Sequence, residues 1–391
     1  MHKYLQENLH FHLKKEYLII LLVFFVTFAN FTVLPKILSE ELNAGIDSYL
    51  VGILLSIGSF SAAISSIPIG IYLDKNPVGR MLSIGLLLRT LPFFILIMTQ
   101  GYIASLFCIF LLGVLSPFIS LGGYLWISRT VENNKGKILG IFTAAFNAGT
   151  IGGPIVGGYI SDCVGFSKCC FFLAITHILF IPFFFNMSDS SHNLSVSIKK
   201  SISTHKNTLV KLIFLAILIN TISAFYGPYW AVLANRAGAT EHNIRVIMAV
   251  LGAVITLGAI IAGWLSDRVG TVKVIYCGLL GLMLVLPFIP LSSFLFMLVG
   301  LYSIAKLVES LTCTGTTVLF LKLPKDFRGT FYSLSIFVSW SFYMISVVVS
   351  GIILDRQGVN SVFVITEFLI IILIIYFKYV NSILKKIDII N

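Results

Sequence analysis

The sequence predicts an all-α membrane protein: twelve transmembrane helices in two pseudo-symmetric six-helix bundles. Three observations predict it: composition, a train of twelve apolar runs, and a pattern of charges and glycines that occurs twice. Of the 391 residues, 58% are apolar and only 11% are charged, where a soluble domain carries roughly a quarter charged. The mean hydropathy is +0.99. At about 20 apolar residues per crossing, twelve crossings take ~240 residues and leave ~150 for loops. Soluble enzymes, secreted scaffolds and nucleic-acid modules are excluded at this step.

The apolar runs fall at 17–38, 48–73, 81–98, 102–127, 138–160, 167–187, 208–233, 244–266, 271–290, 295–321, 330–354 and 360–380. Most reach spanning length without the alternation of a barrel strand. The first run contains Pro35, is too long for a signal-peptide core, and lacks a small-residue cleavage pattern, so it reads as a helix. The six cysteines have no metal spacing. They read as small apolar residues, with a bridge from Cys163 to Cys169 or Cys170 as the minor alternative.

With the N-terminus placed inside, twenty of the 27 Lys and Arg residues lie in inner loops. Five lie outside: Lys36, Lys168, Arg236, Arg245 and Arg356. This bias puts both termini in the cytoplasm and makes the chain a multi-pass protein of the plasma (inner) membrane. It also explains the net charge of +11 without a nucleic-acid partner.

The longest polar stretch, residues 189–207, separates a bundle at 1–188 from a bundle at 208–391. At a constant offset of 193 the halves share a register. Pro35 meets Pro228, Gly45 meets Gly238, Gly70 meets Gly263, Asp74 meets Asp267, Lys75 meets Arg268, Arg80 meets Lys273 and Arg129 meets Lys322. Such a duplicated unit places a transport site between its repeats. Within it, Gly263-Trp-Leu-Ser-Asp267-Arg268-Val-Gly270-Thr-Val-Lys273 joins the eighth and ninth runs, and Gly70-Ile-Tyr-Leu-Asp74-Lys75-Asn-Pro-Val-Gly79-Arg80 joins the second and third. An Asp at a helix end can cap a neighbouring helix or pair with a cation, and Gly permits a tight reversal. In the first copy the glycine comes five residues after the aspartate instead of three, which requires a different turn.

On these motifs the sequence resembles the major facilitator superfamily, and in particular its drug-exporting, antiporter-like members. The resemblance implies that the loop clusters act as conformational latches: Gly70, Asp74, Lys75 and Arg80 with Arg129, and Gly263, Asp267, Arg268, Gly270 and Lys273. The fifth run, Gly149-Thr-Ile-Gly-Gly153-Pro154-Ile-Val-Gly157-Gly158, is similar to the signature of exporting antiporters. Small residues four apart allow close helix approach and Pro bends the helix. The second half lacks this stripe, with Phe342, Ser346 and Val347 at the equivalent places. The family's drug exporters commonly carry an Arg four residues before a Gly in the fourth helix. Gly113 fits that Gly, but Ile109 occupies the Arg position. The first run has no acidic residue in its interior, only Thr27, Asn30 and Thr32 as polar groups.

Four charges lie well inside apolar runs: Arg89, Lys306, Glu309 and Glu367. Intramembrane charges are costly and mark partners or cavities. Lys306 and Glu309, three apart, share a helix face, and Tyr302, Thr312, Cys313 and Thr316 extend it. They form either a coupling site or a structural pair. The family fold implies a cavity lined by the first, fourth, seventh and tenth helices. That adds Asn30, Ser116, Ser120, Tyr124, Asn220, Ser223, Tyr226 and Trp230 as candidates, with Ser116 in the register of Glu309. Arg89 and Glu367, on peripheral helices, are expected to pack or snorkel. His177 is expected to be a buried polar helper.

No catalytic set, phosphate-cradling glycine motif or metal cluster occurs, so neither enzyme activity, ATP-driven pumping nor a cofactor is expected. The sequence points to a monomeric secondary transporter that exports a small organic or amphipathic solute in exchange for protons by alternating access. The alternative is an importer or uniporter of a polar metabolite such as a sugar or organic acid. A non-transporting receptor would need neither the doubled loop signature nor the polar stripe.

Overall fold

The computed structural model describes residues 2–43, 48–99, 101–131, 133–185, 187, 198–292, 294–320 and 328–386. Most of the polar linker (188–197), together with Gly45, Lys322 and Lys325, lies outside the described residues. The chain forms twelve helices. The first six are α1 (His2–Asn43), α2 (Ser48–Lys75), α3 (Val78–Met98), α4 (Tyr102–Thr130), α5 (Lys135–Gly152, continuing through Gly153–Gly157 to Gly158–Val164) and α6 (Phe166–Phe185). The second six are α7 (Ile198–Tyr226, continuing through Gly227–Tyr229 to Trp230–Arg236), α8 (Glu241–Leu265), α9 (Thr271–Val285), α10 (Leu295–Phe320), α11 (Arg328–Gln357) and α12 (Val359–Lys386). The fold class predicted from the sequence is the one observed.

Two of these helices, α5 and α7, are interrupted at a proline. Pro154 has no N–H to give the carbonyl four residues back, and the chain runs through a π-turn at Gly153–Gly157 before resuming as α-helix. Pro228 breaks α7 in the same sense, through the 3₁₀ turn Gly227–Tyr229. The apolar stretch Val246–Phe288 is long enough to hide two crossings. Gly270, at φ 98°, divides it into α8 and α9, a backbone conformation that an L-residue rarely adopts. The equivalent reversal between α2 and α3 uses no positive φ. There Pro77, at φ −60° and ψ 125°, precedes the first turn of α3, which accounts for the different glycine spacing of the two loop motifs.

The chain divides into two compact units: residues 1–133 with 145–194, and residues 134–144 with 195–391. In the first, Ala29 and Val33 of α1, Phe93 of α3, Cys108 and Leu112 of α4, and Cys170 and Ala174 of α6 share a buried core. In the second, Leu215 and Tyr226 of α7, Leu279 of α9, Tyr302 and Ala305 of α10, and Phe363 and Leu373 of α12 do the same. Residues 134–144, the start of α5, group with the second unit because glycines remove the bulk between them and α8. A Cβ on Gly136 would lie 2.6 Å from the Gly263 carbonyl oxygen, and one on Gly140 would lie 2.5 Å from that of Ala259. The six cysteines are free, including Cys163, Cys169 and Cys170.

Candidate functional site

The second unit holds a compact polar cluster between α7 and α10. Glu309 Oε2 accepts hydrogen bonds from Lys306 Nζ at 2.7 Å and from the Tyr226 hydroxyl at 2.6 Å. The Ser223 hydroxyl, one turn before Tyr226, donates to the Ile219 carbonyl of its own helix at 3.2 Å. The ammonium of Lys306 lies 4.7 Å from the centre of the Tyr226 ring, within cation–π range. Tyr302, one turn before Lys306, donates its hydroxyl to the Tyr226 carbonyl at 3.2 Å where α7 kinks. The i, i+3 spacing on α10 brings Lys306 and Glu309 to one face. Both members of the ion pair are mostly buried, with side chains 14% and 13% exposed. A pair removed from water holds only when its geometry is good and the remaining lone pairs are filled. Here the Tyr226 hydroxyl fills one of them.

A cavity of about 170 Å³ in the same unit is lined by Asn220, Cys313, Thr316, Tyr332, Ser335 and Trp340, among others. Asn220, expected at the site, spends one amide hydrogen on the Ala216 carbonyl at 2.8 Å. Trp230 packs half-buried against the apolar core of this unit and not against the ion pair.

The first unit contains a polar centre that the local sequence did not reveal. Arg89, on α3, is fully buried. One guanidinium nitrogen donates to the Leu112 carbonyl of α4 at 3.2 Å, and the other donates to Asn30 Oδ1 of α1. Arg89 therefore neither snorkels nor merely packs. Its Nε has no partner, and among the described residues no carboxylate pairs with it. An unpaired buried ion costs several kcal/mol even after relaxation. Asn30 and Leu112 line a cavity of about 190 Å³ together with Phe31, Gly58, Ser59, Ile109, Gly113 and Ser116. At Gly113 there is no room for a side chain, since an added Cβ would collide with Ser61 Oγ and the Gly58 carbonyl. Of the other α4 candidates, Ser120 donates to the Ser116 carbonyl at 3.3 Å, and Tyr124 is buried in the unit. A charge amid an apolar run, with the cation missing at Ile109, was the sequence signal that could have pointed to Arg89.

The loop motifs differ in what their aspartates hold. Asp74, at the end of α2, lies 3.6 Å from Arg129 of α4, and both side chains are buried. Arg129 also donates to the Leu73 carbonyl at 3.1 Å. Asp267 instead caps α5, accepting from the backbone N–H of Gly136 at 2.9 Å and of Lys137 at 2.7 Å. These amides have no partner inside their own helix, so a carboxylate there satisfies them and meets the positive end of the helix dipole. Arg268 turns back over the Trp264 ring at 4.2 Å. Lys75, Arg80 and Lys273 are exposed, and Gly70 and Gly263 are buried at the helix ends.

On α5, the stripe of Gly149, Gly153 and Gly157 faces α1. An added Cβ on Gly149 would overlap Thr27 Oγ1, one on Gly157 would overlap Thr32 Oγ1, and one on Gly153 would lie 2.7 Å from the Phe28 carbonyl. Thr32 Oγ1 donates to the Gly153 carbonyl at 3.2 Å across the seam. Gly158 has open space around its Cα, and Pro154 points outward.

Twelve apolar helices, most of them long enough to cross a bilayer, with a charged group buried in each of the two units, define a polytopic membrane protein. The Major Facilitator Superfamily model matches residues 17–233 and 212–386, and the chain belongs to that family. It is 26% identical over 198 residues to the multidrug resistance protein MdtG of Proteus mirabilis, covering 47% of this chain and 49% of MdtG. It is 25% identical over 244 residues to the multi-drug resistance efflux pump PmrA of Streptococcus pneumoniae, covering 58% and 61%. These matches span only about half to three fifths of the relatives' length. Two solved structures share the fold. The human organic anion transporter MFSD10 superimposes with a TM-score of 0.78 at 12% identity, covering 92% of this chain and 98% of that one. The fucose:proton symporter FucP of E. coli gives 0.77 at 15% identity, covering 94% and 98%.

Proposed function

We propose that the protein is a monomer of the plasma membrane, with both termini cytoplasmic, that exports small organic or amphipathic solutes by proton-coupled antiport. The observation that carries proton coupling is Glu309, a buried carboxylate that is ion-paired with Lys306 on α10 and tied to α7 through the Tyr226 hydroxyl. A proton taken up there ends the ion pair with Lys306 and weakens the tie between the two helices. Proton occupancy thereby changes the conformational balance, which alternating access requires. Export is supported by the α1–α5 glycine seam and by the multidrug names of MdtG and PmrA. Asp74 and Asp267 serve as latches, the first by ion pairing and the second by capping α5.

Inside-out vesicles test this. With an acid interior, a dye substrate should accumulate, and nigericin, which collapses the pH gradient, should release it. Accumulation that ignores the gradient removes proton coupling. Accumulation only in right-side-out vesicles favours an importer of a polar metabolite.

A further inference from the structure

Resting on the exporter assignment, we propose that the cavity of the first unit is a subsite for the negatively charged head of the solute, a carboxylate or sulfonate on an apolar body, and that Arg89 is its positioning residue. Arginine can only donate hydrogen bonds. The atom of Asn30 that meets Arg89 is therefore Oδ1, which leaves Nδ2 turned away from the guanidinium. That amide group makes no hydrogen bond to any described residue and belongs to a residue lining the cavity. The cavity thus offers two fixed N–H donors, with the hydroxyls of Ser59 and Ser116 beside them. None of its lining residues is acidic, and the guanidinium behind Asn30 carries a full charge that no described carboxylate balances. His177, near Arg89 and packed 5.2 Å from the Phe93 ring, brings no negative charge either.

The repeat supplies an independent indication. At the offset of 193, Asn30 corresponds to Ser223, Gly113 to Lys306, and Ser116 to Glu309. The cavity therefore occupies the place in the first unit that the ion pair occupies in the second. There the protein provides its own carboxylate. Here it provides donors and a cation without one, and the solute supplies the anion. Solute recognition and proton binding fall to different units, so they are coupled through the conformational cycle and not through competition for one carboxylate.

The test uses the purified full-length protein and two xanthene dyes of one scaffold, anionic fluorescein and cationic rhodamine 123. Fluorescence polarisation should show saturable binding of fluorescein and none of rhodamine 123. Asn30→Asp pairs with Arg89 and preserves the fold, yet turns acceptor oxygens to the cavity; it should weaken fluorescein binding by about tenfold or more. Arg89→Met should lower fluorescein affinity, with Arg89→Lys partly restoring it, while melting temperatures measured without dye stay near wild type. The proposal is overturned by wild-type protein that prefers rhodamine 123 or binds neither dye, or by an Asn30→Asp variant with full fluorescein affinity. Rhodamine 123 pumping under a pH gradient without fluorescein binding would sink this subsite and leave proton-driven export standing. Fluorescein binding without gradient-driven transport would do the reverse.

Discussion

The two polar centres stand at equivalent places in the repeat and solve the problem of a buried cation in opposite ways. In the second unit, Lys306 is neutralised three residues along its own helix by Glu309. In the first, Arg89 reaches from α3 to a neutral amide and a backbone carbonyl. One centre is electrically complete, and we propose that it changes state when a proton arrives. The other has a fixed charge, because a guanidinium does not give up its proton near neutral pH. Duplication supplied the same scaffold twice, and side-chain choice made one copy titratable and the other constant.

This comparison can be broken most directly at Glu309. Glu309→Gln should reduce gradient-driven transport to background while the protein remains folded and dye-binding, since Gln can still accept from Tyr226 and Lys306. Retained gradient dependence in vesicles would place coupling elsewhere. Next in size is the contrast between the cations. Lys306→Met orphans a buried carboxylate and should cost about 3–5 kcal/mol, with stability recovered when Glu309→Gln is added. Arg89→Met orphans no charge, only the Asn30 amide oxygen and one contact to the Leu112 carbonyl, and should cost less, about 1–3 kcal/mol. Equal losses in thermal unfolding would erase the distinction drawn here.

A third contrast concerns the α1–α5 seam, which the second half does not repeat. Gly149→Ala should destabilise by about 1–3 kcal/mol through overpacking against Thr27. Alanine at Gly158, where space is open, should be silent in the same melting assay. The smallest effects are expected at the loop aspartate Asp267. Asp267→Ala removes a helix cap and should cost about 1 kcal/mol. Asp267→Asn keeps one acceptor and should cost less, whereas Asp74→Asn breaks a buried ion pair with Arg129 and should cost more than either change at Asp267, in stability as well as in transport. Transport rates at equal protein levels rank the two.

Much of the fold was legible because bilayer thickness fixes helix length and the bilayer tolerates little else, so twelve runs translate into twelve helices. The Lys306–Glu309 contact was legible because i, i+3 spacing is a local rule. Tyr226 was found by its helical register on α7. Arg89 was not, because its partner Asn30 is 59 residues away and no local periodicity says which neighbour a long side chain will meet. The differing jobs of Asp74 and Asp267 were also hidden. Identical residues at repeat-related positions acquired different partners once Pro77 and Gly270 turned the chain differently.

The threonines of the seam have a consequence for alignment. Thr27 and Thr32 fit into hollows that only glycine leaves on α5, and Asn30 lies between them on α1. A hydroxyl seated in a notch at each end leaves α1 little freedom to slide or roll, much as two dowels fix a plate before a third hole is drilled. The carboxamide that meets Arg89 is that third hole. A single methyl added to either notch would press on α1 and displace the Asn30 amide from the guanidinium, so the register of the Arg89 contact is set by the seam.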